Sequence, residues 1–363
     1  MDFDFFRQLL EFDSTSGRER EVAMWLLNRL EAPDKQSFEV GDGTLNLLFS
    51  WGRPKVVFCS HMDTVPPYIP PVMPSALSVT PSVQSVMPGS DRASDAVITG
   101  RGSCDAKGQV FALYTACKQL EAEGFTDFGL LLLSGEETGS WGAKAFSGTG
   151  FEAPFLIIGE PTENKMVSAS KGTKSYNLKF TGEAFHSGYP QYGVSAVDLF
   201  NRFYNALKEK DFGLDPELGE TTWNIGLLRS DNPQNILSPE LSCRLYFRTT
   251  FVSHQAVQDW MQEMAGQAGH DVTGRLDITP NGSGDQPAHY VTLPGFPSGP
   301  VAFGSDAPHL TGFGHKIICG PGSIRHAHRA DEQVLVGDLE TAVEQYVRMY
   351  HCLVEPNHLT ISV

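Results

Sequence analysis

His61 and Asp63 stand two residues apart at the end of the apolar run Val56-Val57-Phe58-Cys59. Such a run reads as a strand buried on both faces. An imidazole and a carboxylate just past the carboxyl end of a buried strand sit where open α/β sheets place ligands. The pattern recurs. FGLLLL (128–133) runs into Ser134-Gly135-Glu136-Glu137, and FLII (155–158) runs into Gly159-Glu160. The glycine-rich turn GRGSCDAKG (100–108) presents Asp105, and a histidine-rich turn over 325–331 brings His326 and His328. Singly, each has an ordinary reading: a satisfied structural histidine, a solvated Glu-Glu face, a turn-capping aspartate. Together, three separate buried strands and a glycine-rich turn all finish in ligand-type residues.

Carboxylates crowded into a low-dielectric pocket repel one another and take up protons. A pair of divalent cations relieves that repulsion. Mixed imidazole and carboxylate donors favour zinc, or a neighbour such as cobalt or manganese, over magnesium and calcium. Two ions about 3.5–4 Å apart need a bridging carboxylate. The adjacent Glu136 and Glu137 suit a division of labour, one as ligand and one as base.

The elements that must position these groups follow from periodicity. Residues 1–31 carry Phe5, Leu9 and Leu10, then Val22, Trp25, Leu26 and Leu30 at helical spacing, with a loop over 13–17. Strands are predicted over 45–49, 56–59, 128–133, 155–158 and 317–319, and helices over 109–123 and 339–353, Gly124 stopping the first of these. Buried strands alternating with helices predict an α/β fold, a mostly parallel sheet flanked by helices, over 1–171 plus 281–363. Over 172–280 the pattern changes. SYNLKFT (175–181) alternates polar and apolar residues as a half-solvated strand does. Strands over 222–228, 241–249 and 274–279 and helices over 196–208 and 256–265 complete an inserted α+β domain with four strands, and NGSGDQ (281–286) forms the return linker. Residues 66–98 hold seven prolines and read as a flap or a surface excursion without regular structure. The GxG at 100–102 is no dinucleotide fingerprint, because the third glycine is misplaced and Asp105 sits where phosphate would bind.

A net charge of −16 over 363 residues argues against nucleic-acid and anionic-membrane partners. No apolar run approaches the roughly 18 residues of a membrane span. The acidic N-terminus has no basic and apolar leader pattern. Six cysteines at 59, 104, 117, 243, 319 and 352 form no CxxC, and those at 59, 117 and 319 fall in apolar stretches. A reducing cytoplasm is the expected location.

SHMDTV (60–65), GRGSCDAKG (100–108), SGEETG (134–139), GEPT (159–162), GEAFHSG (182–188), GSDA (304–307) and AHRADE (327–332) resemble, in order, the M20 family of metallopeptidases and deacylases, which includes acetylornithine deacetylase and succinyl-diaminopimelate desuccinylase. The resemblance covers nearly the whole chain. It implies a zinc-peptidase-like catalytic domain and an inserted lid and dimerisation domain. Asp105 would bridge two divalent ions, most simply zinc, with cobalt or manganese as substitutes. His61 and Glu160 would complete one site, and Glu137 and His328 the other. His328 is preferred to His326 because AHRADE matches the family's A-H-x-x-D-E form. Glu136 would be the general base toward a metal-bridged water, and Asp63 would orient the His61 ring. His186 would reach the active site of a partner subunit and polarise the scissile carbonyl, which implies a homodimer through 172–280. Asn235 and Arg248 match substrate-contacting positions, though Arg248 could equally face Glu240 or Glu217. Ser305 and Asp306 would line the substrate end, Asp306 reading an ammonium. Cys104 completes no ligand set and reads as structural. The implied reaction is amide hydrolysis of an N-acyl amino acid of the acetylornithine type. The alternative is a carboxypeptidase or dipeptidase acting on short peptides. A catalytically silent member of the fold would lack Glu136 or a ligand, and neither is missing.

Overall fold

The computed structural model describes all residues except 42, 78–92, 268–273 and 356–363. The chain forms two compact units, one of Met1–Ser168, Tyr290–Gly299 and Ser305–Val363, the other of Ala169–His289 and Pro300–Gly304.

The first unit is built on a six-stranded mixed sheet. Its strand order is Asp34–Gly41, Thr44–Gly52, Asp127–Leu133, Val56–His61, Ala153–Ile158, Phe313–Ile318. The first two pairings are antiparallel and the next three parallel. Every residue of Val56–His61 is buried, as expected of a strand flanked by parallel neighbours and covered by helices. Helices Lys107–Ala122 and Val336–Val354 pack on it and on each other, and Arg20–Arg29 packs on Thr44–Gly52. Phe58, Leu130 and Leu132 are fully buried in this core, each contributing about 2 kcal/mol of apolar burial.

Several features differ from the sequence-based expectation. The strand that opens the site runs through Ser60 and His61, so His61 is its last residue rather than lying past an end at Cys59. Polar side chains do not end a parallel ladder whose neighbours continue: Ser60 and His61 lie opposite Leu132 and Leu133, and the Ser60 hydroxyl donates to Gly159 O at 3.1 Å. Strands Asp34–Gly41 and Met166–Ser170 were not predicted. The former is a mostly exposed antiparallel edge with little apolar signal. The proline-rich stretch is anchored at both ends. Val72 and Thr99 exchange backbone hydrogen bonds, and Arg101 N donates to Ile69 O at 2.9 Å. Strand Val97–Thr99 then pairs with Gln333–Leu335. The middle of that stretch, 78–92, lies outside the described residues.

The second unit holds a four-stranded antiparallel sheet, ordered Thr222–Arg229, Glu240–Thr249, Gly172–Thr181, Arg275–Pro280. Buried Tyr176, Leu178 and Phe180 alternate with exposed Asn177 and Lys179. Helices Ala196–Glu209 and His254–Gln267 pack on the sheet, closing a separate core around Phe203, Leu245, Phe247 and Trp260. All six cysteines are free thiols. Among the described residues no helix is long and apolar enough to cross a membrane.

Candidate metal centre

Parallel register brings the ligand-type residues together. His61 ends its strand opposite Leu133, so the chain after Leu133 delivers Glu136 and Glu137 on one side. Cys59 lies opposite Ile158, and Gly159 N donates to Cys59 O at 2.8 Å, which sets Glu160 beside the same strand end on the other side. Asp105 completes the group from the glycine-rich turn. Its two oxygens face different imidazoles: Oδ1 lies 3.2 Å from His61 Nε2 and Oδ2 lies 3.3 Å from His328 Nε2. His328 Nε2 also lies 2.9 Å from Glu137 Oε1. His61, Asp105 and Glu137 each offer a ligand atom, all within 4.8 Å of one another.

Asp63 does more than orient a ring. His61 Nδ1 lies 3.3 Å from its Oδ1 and 3.0 Å from its carbonyl oxygen. The same carboxylate accepts from Glu136 N at 3.0 Å, Glu137 N at 3.1 Å and Ser16 Oγ at 2.8 Å. One buried side chain therefore fixes both the imidazole and the backbone that carries the two glutamates. Glu19 assists, its Oε1 accepting from Gly135 N at 3.0 Å.

The glycine-rich turn is held as tightly. Gly102 has φ +85°, and a Cβ there would sit 2.9 Å from Lys107 Cδ and 3.1 Å from Thr64 Cγ2, so only glycine fits. Gln109 Nε2 donates to Cys104 O at 3.0 Å and to Pro321 O at 2.8 Å. Cys104 is buried, its thiol aimed at Ser323 O. His328 adopts φ +63°, a left-handed conformation that costs a non-glycine residue about 1 kcal/mol. Its side chain is half exposed while Asp105 is buried.

The electrostatics favour cations. Burial alone would depress His61, but hydrogen bonds to Asp105 and Asp63 and the Asp63 and Glu136 charges hold it well above the ordinary histidine value. Asp105 and Glu137 push His328 up to about 10. Burial raises Asp105, yet the two imidazoles bring it below its ordinary value. Burial drives Glu136 and Glu160 well above theirs, with neighbouring carboxylates adding to both. Burial pushes Asp306 up to about 6, and its Oδ1 has no hydrogen-bond partner among the described residues. Two imidazoles thus face the carboxylates of Asp105, Glu136, Glu137 and Glu160, an imbalance that divalent cations neutralise. The donor set is nitrogen and oxygen without thiolate, which fits zinc, cobalt or manganese.

Ser305 is also in this unit, buried, its hydroxyl accepting from Ala307 N at 3.3 Å. The remaining predicted residues belong to the second unit. His186 is exposed, and its Nδ1 accepts from Gly188 N at 3.0 Å. Ser187 N donates to Asn235 O at 2.9 Å, and His186 bridges to Ile236, so His186 and exposed Asn235 share one edge. Arg248 lies over the Tyr246 ring, 5.1 Å from its centroid. Its suggested acidic neighbours have other partners: Glu240 pairs with Lys179 at 2.7 Å and Glu217 with His289 at 3.1 Å.

Sequence reasoning did not single out Ser16, Glu19, Arg101, Gln109 or Glu332. None follows one of the long apolar strand runs. Arg101 and Glu332 lie inside the quoted GRGSCDAKG and AHRADE segments, Glu332 four residues after His328, while Ser16, Glu19 and Gln109 lie outside all of them.

Residues 57–351 match the model of peptidase family M20/M25/M40. A probable carboxypeptidase of Talaromyces marneffei is 30% identical across 97% of this chain and 85% of its own length. A tripeptidase of Staphylococcus aureus shares the fold with a TM-score of 0.78 at 18% identity, over 97% of both chains. A dinuclear metal-binding M20 peptidase of Bacillus subtilis shares it with a TM-score of 0.64 at 10% identity, also over 97% of both. The match spans the strand ends and the glycine-rich turn that bring the ligand-type residues together, and the chain belongs to peptidase family M20/M25/M40 and is a metal-dependent peptidase hydrolase.

Proposed function

We propose that this protein is an exopeptidase that hydrolyses short peptides bearing a free carboxylate, with two divalent ions, zinc first and cobalt or manganese next. The observation that carries the two-ion part of this reading is Asp105, whose two oxygens face two different imidazoles, as a carboxylate shared by two ions would. His61 and Glu160 would hold one ion with Asp105, and Glu137 and His328 the other. Bound there, the ions supply Lewis-acid polarisation of the scissile carbonyl and acidify the attacking water. Glu136 takes the proton from that water as its oxygen bonds to the carbonyl carbon. It returns the proton to the amine nitrogen as the C–N bond breaks, so water and amide give a carboxylic acid and an amine. Arg248 suits a peptide carboxylate, for which a guanidinium fork is the matched donor. Asn235, Ser305 and Asp306 are also assigned to substrate binding, Asp306 as the acceptor for an ammonium.

The same centre could hydrolyse an N-acyl amino acid, the substrate that the motifs first suggest. The carboxypeptidase name of the Talaromyces relative supports the peptide instead. A panel separates the two: free-acid dipeptides and tripeptides, their C-terminal amides, and N-acetyl and N-succinyl amino acids. Protein dialysed against chelator should be inactive and recover with zinc or cobalt. Free-acid peptides should then be the best substrates and their amides poor ones. N-acetylornithine hydrolysed more efficiently than every peptide would overturn the assignment.

We also propose a homodimer through residues 172–280 in which His186 of a second copy polarises the scissile carbonyl. Because Gly188 N–H donates to Nδ1, the neutral ring carries its proton on Nε2, a donor suited to a carbonyl oxygen. Mixing inactive His186→Ala and Glu136→Gln proteins should then rebuild one intact site per mixed dimer, restoring about a quarter of wild-type activity at equal ratio. Activity that stays at the level of the separate variants, after subunit exchange is verified, would place His186 outside the reaction.

A further inference from the structure

Glu332 lies outside the ligand set, yet it is among the most fully bonded carboxylates in the chain. Its side chain is 1% exposed. Oε1 accepts from three backbone amides of the glycine-rich turn: Gly102 N at 2.9 Å, Cys104 N at 3.1 Å and Asp105 N at 3.0 Å. Oε2 accepts from Arg101 Nη1. Its own carbonyl oxygen accepts from Gly100 N at 3.1 Å. Converging backbone N–H groups form a concavity for an anion, and here the anion is supplied by the chain itself from more than 220 residues away. Arg101 is equally buried and is fixed on its other side, Nε donating to Pro67 O at 3.1 Å.

The consequence concerns the spacing of the ligand groups. Asp105 is carried by the turn that Glu332 clasps, and His328 lies four residues before Glu332 in the segment that supplies the clasp. The separation of Asp105 Oδ2 from His328 Nε2, 3.3 Å, joins two segments that the buried Glu332 carboxylate ties together through three backbone amides and Arg101. His61 reaches Asp105 by another route, from the end of a sheet strand braced by Asp63. We infer that Glu332, with Arg101, is a positioning residue that sets the ion site shared by Asp105, Glu137 and His328, and that its loss weakens that site more than the one shared by His61, Asp105 and Glu160. This rests on the two-ion reading above. Glu332→Gln keeps the size and one acceptor oxygen, but turns an NH2 donor toward either the amide nest or the Arg101 guanidinium, so the clasp cannot be satisfied on both sides.

The test is titration of chelator-treated protein with cobalt(II), following visible absorption and, in parallel, equilibrium dialysis. Wild type should take up two ions. Glu332→Gln should take up the first with near wild-type affinity and the second about 10–100-fold more weakly, as for other groups that orient metal ligands, and saturating cobalt should recover most of kcat. Glu332→Asp should restore the second affinity in part. If Glu332→Gln does not fold by circular dichroism, Arg101→Lys, which keeps the cation but loses the fork, takes its place with the same expectation. A variant that binds both ions as tightly as wild type overturns the positioning role alone. Wild-type protein that binds no divalent ion overturns the metal reading beneath it.

Discussion

Glu136→Gln is expected to lower kcat by about 10³-fold, close to 4 kcal/mol of lost transition-state stabilisation, while KM and the bound metal stay near wild type. The substitution leaves the backbone anchor intact, because Glu136 is held through its amide by Asp63 Oδ1 at 3.0 Å rather than through its carboxyl. A glutamine cannot take a proton from water, so the step that makes the nucleophile is lost and substrate binding is not. Stability should move the other way. Burial and the nearby Asp306, Glu137 and Asp105 carboxylates hold the Glu136 pKa well above its ordinary value. Its ionised form therefore opposes folding above that ordinary value, and neutral glutamine removes the opposition. Metal-free Glu136→Gln should thus melt no lower than metal-free wild type at pH 7. Turnover within tenfold of wild type, with two ions still bound, would remove Glu136 from the base role.

The sequence announces the parts of this site that lie at the ends of buried strands and hides the parts that brace them. FGLLLL and FLII each carry enough apolar signal to be read as strands, and a parallel sheet delivers all its carboxyl ends to one edge. Glu136, Glu137, Glu160 and His61 therefore converge without any knowledge of tertiary contacts. Asp105 was legible for a second reason, since a turn with glycines at 100 and 102 must present whatever follows it. Glu332, Glu19 and Arg101 were not legible in this way. Each acts by receiving or giving hydrogen bonds across the fold, Glu19 to Gly135 and Glu332 to Gly102, and such pairing has no period and no composition. The edge strand Asp34–Gly41 was missed because its residues are mostly exposed, and the pattern of half-buried alternation that marks a strand is faint there. His186 and Arg248 are proposed through resemblance only, because nothing about a turn histidine or a strand arginine sets it apart by physics alone.

Asp105→Asn should be the more severe lesion, abolishing binding of both ions and reducing kcat/KM on the order of 10⁴-fold or more, as when one member of a group that acts as a unit is removed. The carboxylate serves two imidazoles through two oxygens. An asparagine has one acceptor, and its NH2 must face either His61 or His328, neither of which offers a productive ligand geometry in that pairing. The metal-free protein gives an independent reading through its pH dependence. The imidazoles hold Asp105 below its ordinary value of 3.8, so its contribution to stability is present above pH 3.8 and is lost as pH falls through the lowered value. His328 is raised from 6.5 to about 10, so its contribution is complete below 6.5 and fades as pH rises through about 10. Metal-free wild type should therefore exceed metal-free Asp105→Asn in stability between these limits, and the gap should close on both sides. Adding cobalt should raise the wild-type melting temperature, because an ion that binds only the folded state stabilises it by mass action, and should leave that of Asp105→Asn unmoved. An Asp105→Asn protein whose melting temperature climbs with cobalt as wild type's does would show that the two ions are held without this carboxylate, and the assignment of the whole centre would have to be redrawn around His61, Glu137 and Glu160.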